Sequence, residues 1–352
     1  MLAAAGLARP GATIAKPSTF TTGFGDQLFS SDSAPERQRW FGEASDAGAG
    51  MVRIAAFWRA IAPTQPEAPK APDDPAYNFA ALDRIVDEAA SRDLDVILVV
   101  SGAPDWAQGA RPPRGAQAGT WRPSPVAVGR FGTALARRYG PAAGGRVEAV
   151  QFWIEPNLPA SLSPQWKRGR PVAAIRYRKM LRQFSLGVAE GDPGLPVVTA
   201  GLAPYGDSAG GSRTRPLRFW RTVFCLRDRD RLRPASGCRG RTRFDVFAGH
   251  AINTSGGPDR SALHPDDASS GDLEELVRTL RAAERLGTVA GPRRHPFWVT
   301  EMWWESNPPD RSGGVSLAKQ ALYLGRTFYL AWRAGASVAI NLNIRDARKS
   351  QS

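Results

Sequence analysis

The chain is 352 residues long, a length that one large α/β barrel fills without a domain break. With 42% apolar and 23% charged residues it has the material for a core, which excludes wholesale disorder and a rod, and its two cysteines exclude a disulfide-framework miniprotein or a Cys-rich zinc module. No apolar run approaches the ~20 residues of a membrane span, and much of the net charge of +14 is concentrated in one stretch.

Residues 1–18 read as an N-terminal extension. Met1–Ala8 is small and apolar but has no basic start, which fits either the remainder of a secretion signal or an ordinary frayed end. Beyond it, short β-branched or aromatic runs precede amphipathic stretches eight times. The runs are Phe20–Phe29, Met51–Trp58, Asp95–Ala103, Val147–Glu155, Pro196–Ala203, Phe244–His250, Pro296–Met302 and Ser337–Ile344. Phe79, Leu82, Ile85, Val86 and Ala89 keep the spacing of a one-sided helical stripe, and 126–139, 175–189, 273–286 and 317–332 read the same way. Gly140, Gly191, Gly287 and Gly335 stand where a left-handed residue would end such helices.

Eight strands separated by helices predict a closed (β/α)8 barrel over residues 19–346. Runs such as Val96-Ile97-Leu98-Val99-Val100 are apolar throughout, as parallel strands buried on both faces require. An open doubly wound sheet gives the same local pattern, but neither the dinucleotide nor the mononucleotide Gly-rich phosphate turn occurs. The eighth run ends near Asp346, so a closing eighth helix is expected to be missing and 347–352 to be a tail.

An Arg-rich insertion is expected at about 207–243. Eleven arginines lie between Arg213 and Arg243, against only Asp228 and Asp230. Such a loop either attracts phosphate or an acidic polymer or is a solvated surface. No zinc-finger spacing, basic region with heptads or RNA-binding aromatic motif accompanies it, so no nucleic-acid partner is expected. Cys225 and Cys238 bracket twelve largely polar residues, where a disulfide would restrain the loop by roughly 3 kcal/mol. That pairing points to a secreted or cell-surface protein; free thiols would fit the cytoplasm.

In a barrel of this kind chemistry sits where strands end. Those positions hold Arg53 and Trp58, Ser101 and Trp106, Glu155 and Asn157, and Tyr205; then His250 and Asn253, Glu301 with Trp303 and Trp304, and Asn341 and Asn343. Glu155 and Glu301 each end an apolar, aromatic strand. A charge in such surroundings must be paired or reserved for chemistry. Two carboxylates facing one site are what glycoside hydrolysis uses, one donating a proton to the departing oxygen and the other attacking or activating water. The structural alternative is that each merely pairs with an arginine. Indole faces suit the C–H face of a pyranose, which favours Trp58, Trp106, Trp303 and Trp304 for a sugar, while Trp153 and Trp298 are expected in the core.

Trp153-Ile154-Glu155-Pro156-Asn157 resembles the W-N-E-P-N motif of clan A glycoside hydrolases of families 5 and 39, and Val299-Thr300-Glu301 resembles their seventh-strand nucleophile. The resemblance covers roughly residues 20–346. It implies a retaining O-glycosidase in which Glu155 is the acid/base, Glu301 the nucleophile, Arg53 its electrostatic partner and His250 a supporting group. The chain departs from the pattern at Ile154, where the family has an asparagine that holds the sugar 2-hydroxyl. It departs again at Gly249 and Ala251 beside His250, and in the eighth strand, which reads Ala339-Ile340-Asn341-Leu342-Asn343 without a tryptophan. A barrel that binds carbohydrate or a polyanion without hydrolysis therefore stays open as an alternative. His250, His264 and His295 are too scattered for a metal motif and no G-x-S-x-G elbow occurs, so a carbohydrate substrate and no cofactor or metal are expected. Asn253-Thr254-Ser255 has the form of a glycosylation acceptor.

Overall fold

The run around Val96–Val100 shows how the pattern becomes architecture. In a computed structural model describing residues 17–253 and 256–346, this run is the strand β3 (Asp95–Ser101). Val96, Leu98 and Val100 face the surrounding helices, whereas Ile97 points into the interior. Both faces are dry, which is why the strand lacks polar alternation.

Seven further strands share its sheet: β1 (Thr21–Gly25), β2 (Met51–Phe57), β4 (Val147–Phe152), β5 (Val197–Val198), β6 (Phe247–Ala251), β7 (Phe297–Met302) and β8 (Ala336–Leu342). All are parallel, in the order β5-β4-β3-β2-β1-β8-β7-β6. The ring closes between β5 and β6 through the bridge Val198–Val246, with backbone N–H groups of Thr199 and Val246 donating to the carbonyls of Val246 and Val197 at 2.9 and 3.1 Å. The result is a (β/α)8 barrel.

Among the described residues, seven helices of eight residues or more alternate with the strands. They are α1 (Ala34–Asp46), α2 (Ala80–Ala90), α3 (Pro125–Tyr139), α4 (Val172–Gly191), α5 (Pro216–Val223), α6 (Leu273–Arg285) and α7 (Leu317–Arg333). Among the described residues no helix follows β8, and none is long and apolar enough to cross a membrane. Residues 1–16, Thr254, Ser255 and 347–352, which carry the expected extension, part of the glycosylation sequence and the tail, lie outside the described residues.

Gly287 and Gly335 take the expected left-handed φ of 64° and 87°. Gly140 and Gly191 do not, and the reason is packing. A Cβ on Gly140 would stand 2.3 Å from an Asp192 carboxylate oxygen, and one on Gly191 2.5 Å from the Thr133 carbonyl, so both glycines let α3 and α4 approach.

The lower barrel is filled by a dry layer that includes Met51, Ile97, Ala149, Ala248, Trp298 and Ile340. Side chains on a strand repeat direction every second residue. Two positions beyond Met51, Ala149, Ala248 and Trp298 stand Arg53, Gln151, His250 and Thr300, all buried. The interior therefore turns from apolar to polar one layer below the C-terminal mouth. Ala55 and Phe57 continue the same row on β2 and are exposed, Phe57 by 55%, so the barrel is open above Arg53.

Candidate active site

Glu155 reaches the mouth through an irregular turn. The β4 ladder stops at Phe152, and two non-glycine residues then adopt positive φ, Trp153 at 71° and Glu155 at 40°. Such conformations cost about 1–3 kcal/mol each and persist only where neighbours over-determine them. The neighbours here are identifiable. Trp153 donates its backbone N–H to Val100 (2.7 Å) and its indole N–H to Ser161 (2.9 Å), and the Glu155 N–H donates to Gly201 (3.0 Å). Asn157, fully buried, binds the loop after β5: its amide donates to the carbonyls of Ala203 and Thr214 and accepts from the Ala203 N–H. All of these hydrogen bonds go to backbone, so Asn157 supports the turn.

Glu301 enters by a different device. The pairing of β7 with β6 shifts register between Val299 and Glu301. A bulge of this kind re-aims side chains, and two consecutive residues face inward as a result. Thr300 accepts from the Gln151 amide at 2.9 Å, while Glu301 turns to the Arg53 guanidinium (3.5 Å) and to His250 Nε2 (3.8 Å).

His250 joins the two halves. Its Nδ1 lies 3.1 Å from a Glu155 carboxylate oxygen, and its ring lies close against Gly201. A Cβ on Gly201 would overlap the ring at 1.9–2.0 Å, so glycine is required there by close approach. One atom each of Glu155, His250 and Glu301 lie within 4.8 Å of one another.

Burial lowers the Arg53 pKa, and the charges of Glu301 and Glu155 oppose that shift. Its Nε donates to Gln151 Oε1 at 2.9 Å, while Gln151 Nε2 donates to the Thr199 carbonyl (3.1 Å) and to Thr300. Gln151 thereby fixes the guanidinium against β4, β5 and β7. Arg53 Nη2, His250 Nε2 and Glu301 Oε2 are buried with no hydrogen-bond partner among the described residues. Buried polar atoms are costly when unpaired, so a polar ligand at the mouth suits them. Glu155, His250 and Glu301 offer one donor atom each to a cation, but the Arg53 guanidinium already stands against Glu301 and opposes a second positive charge.

The remaining candidates are dispersed. Trp58 is fully buried in the strand–helix layer, stacked on Phe131 and edge-on to Trp106, and shows no face to a sugar. Trp106 is half-buried and donates its indole N–H to the Ala62 carbonyl. Trp304 donates to Thr327 Oγ1 and packs on Tyr323 of α7; Trp303 is half-buried beside it. Tyr205 is 40% exposed with the Arg213 guanidinium 4.6 Å from its ring centre. Asn253 is tied to Gly257 and Ser270, and Asn341 to Asn343. Cys225 and Cys238 form a disulfide. Strand-end reasoning missed Gln151, Thr300, Gly201 and Phe57. Parity with the inward Ala149 and Met51 identifies Gln151 and Phe57.

No protein-family model matches the chain, and no curated protein matches it by sequence. Solved structures do. A family 39 glycoside hydrolase from the gut symbiont Bacteroides cellulosilyticus WH2 superposes with a TM-score of 0.56 at 16% identity, over 92% of this chain and 56% of its own. The chain has the barrel fold of these enzymes. A glucosidase from Croceicoccus marinus gives 0.55 at 15% identity, over 92% and 58% of the two chains. The GH5_18 protein from Streptomyces cattleya, in complex with GlcNAc, gives 0.53 at 14% identity, over 94% and 73%. The chain thus spans less than two thirds of the length of the first two.

Proposed function

We propose that the protein is a retaining O-glycosidase acting on an oligo- or polysaccharide or a glycoside. The observation that carries this reading is the approach of the Glu155 and Glu301 carboxylate oxygens within 4.8 Å, across the open end of the barrel. Retaining enzymes hold their carboxyl groups about 5–5.5 Å apart, and inverting ones ~6.5–9.5 Å to admit a water. So close an approach of the nearest oxygens supports the former.

In the first step Glu155 gives its proton to the glycosidic oxygen while a Glu301 oxygen attacks the anomeric carbon. The bond to the leaving group breaks and an ester to Glu301 forms. Water then attacks the same carbon, Glu155 takes the water's proton, and the ester breaks to return Glu301 as a carboxylate. Two inversions retain the configuration. Arg53 balances the Glu301 charge, and His250 keeps Glu155 in register with it. The fold neighbours' carbohydrate chemistry, including one solved with GlcNAc, supports a sugar as the partner.

A 2-deoxy-2-fluoro glycoside with a dinitrophenyl leaving group tests the assignment, because the fluorine slows both formation and breakdown of the ester while the activated leaving group restores formation alone, so the ester accumulates. Mass spectrometry of the digested protein should find the sugar on Glu301. A label on another peptide overturns the roles. A second reading, sugar binding without turnover, is favoured by Ile154, which places a residue with no hydrogen-bonding group next to Glu155. It predicts no label from any glycoside in a panel, together with sugar affinity unchanged in Glu301→Gln.

A further inference from the structure

The eleven arginines between Arg213 and Arg243 fall into two groups with different surroundings. Arg213, Arg215 and Arg221 each bind an aspartate, Asp207, Asp267 and Asp266, and Arg218 lies over the Trp166 ring at 4.9 Å. These four are half-buried and tie α5 and the segment before it to neighbouring loops. The seven from Arg227 to Arg243 are all exposed, and among the described residues only Arg229 has an acidic partner, its neighbour Asp230.

The second group is placed against its own repulsion. Arg227 and Arg233 stand opposite each other across the short antiparallel pair Leu226–Arg227 and Arg233–Pro234. Like charges in that relation destabilise a ladder. The Cys225–Cys238 bond closes the hairpin on itself and holds it together. From α4, Arg178 donates to the carbonyls of Arg239 and Gly240, and the Arg182 guanidinium lies beside Gly240. Apart from the Arg229–Asp230 pair, no ion pair among the described residues uses these exposed charges, and neutral side chains would spare the hairpin their repulsion.

Their position is set by topology. The excursion leaves the end of α5 and leads into β6, so it lies at the N-terminal end of the barrel, opposite Glu155 and Glu301. Residues 226–243 include no aromatic side chain on which a base could stack. None of their apolar side chains ranks among the exposed large ones that would enter a bilayer. Guanidinium groups bind carboxylate and sulfate through paired hydrogen bonds. We propose that this face binds a linear acidic polysaccharide, docking the protein on a polymer while the site at the opposite end stays open.

The test compares the full-length protein with Arg231→Ser/Arg233→Ser/Arg241→Ser and with the corresponding triple lysine variant, on immobilised polygalacturonate (carboxylate) and heparin (sulfate) from 50 to 200 mM salt. The wild type should bind at least one polymer, with affinity falling linearly on a log–log salt plot. The serine variant should bind at least tenfold more weakly at 100 mM and lose about two units of slope, as expected for three released contacts. The lysine variant should keep the slope, which separates lost charge from a damaged fold. Glu155→Gln should bind as the wild type does. No binding to either polymer at 50 mM, an unchanged serine variant, or tighter binding to duplex DNA than to both glycans overturns the proposal.

Discussion

Gln151 sits where four elements meet beneath the mouth. One side chain accepts from Arg53 of β2 and donates to the Thr199 carbonyl and to Thr300 of β7. Replacing it with methionine keeps the volume and removes every one of these bonds. Arg53, whose Nη2 already lacks a partner, is then a buried cation held by Glu301 alone. Breaking a buried charged network costs about 3–5 kcal/mol, so Gln151→Met should lower the urea midpoint accordingly and reduce kcat more than KM. A midpoint within error of the wild type would show that Arg53 needs no anchor. Ile154 offers the complementary experiment. If the missing amide beside Glu155 weakens the transition state by about 3 kcal/mol, Ile154→Asn should raise turnover roughly a hundredfold on a substrate with a 2-hydroxyl. The gain should vanish on the matching 2-deoxy substrate, where the new amide has nothing to hold.

At the scale of elements, legibility followed burial. β3 and β7 were readable almost to the residue because both of their faces are dry, and only a continuous apolar run satisfies that. β5 was not. The sequence predicts a strand over 196–203, but the ladder holds only Val197 and Val198. Beyond them the backbone is diverted to the site, with the Gly201 carbonyl taken by Glu155 and Ala203 bound to Asn157. The helices α1 and α5 escaped a search for apolar stripes. In α1 only Arg37, Phe41 and Ala44 are buried, and its signal lies in its start, where the Ser33 hydroxyl accepts from the Glu36 N–H with a proline in the first turn. Glu155 and Glu301 were legible as strand ends. The bulge that turns Glu301 inward left no mark in composition.

The loop between β7 and α7 supplies a prediction of its own. Partial desolvation raises the pKa of the largely exposed Glu305, helped by Asp310 and by the charge of Asp346, whereas the Ser312 backbone N–H and hydroxyl, both donating to its carboxylate, hold Asp310 down at about 2. A carboxyl whose folded value is raised binds its proton more tightly in the native state. Its contribution therefore favours folding in acid and is lost as pH rises through the folded value. Glu305→Gln should raise the Tm at pH 7, modestly because the side chain is exposed, and the gain should disappear near pH 4. An equal gain at both pH values would exclude Glu305 titration as the cause.

For the whole molecule the decisive asymmetry is between 47 basic and 33 acidic side chains. The acids are not spread as passive counter-charge. Asp207 and Asp259 are held below their ordinary range chiefly by hydrogen bonds from Arg213 and Arg326. Asp83 and Glu284 would be raised by burial, but Arg138 and Tyr139 in one case, and His295 and Arg281 in the other, outweigh it and lower them. A lowered folded value means stability that is fully present above the ordinary value, 3.8 for aspartate and 4.5 for glutamate, and is lost as pH falls through the folded one. Protonation at these sites removes pairings and, at the same time, leaves the arginines uncompensated, so two losses coincide. The urea midpoint should be flat from pH 7 to about 5 and fall steeply between 4.5 and 3. Raising the salt should recover the part due to long-range repulsion, because the screening length shrinks from ~10 Å at 0.1 M to ~3 Å at 1 M. It should not recover the part due to the lost pairs, whose partners are in direct contact. A midpoint that salt restores completely at pH 3 would assign the acid lability to net charge alone and leave the paired carboxylates without a role in stability.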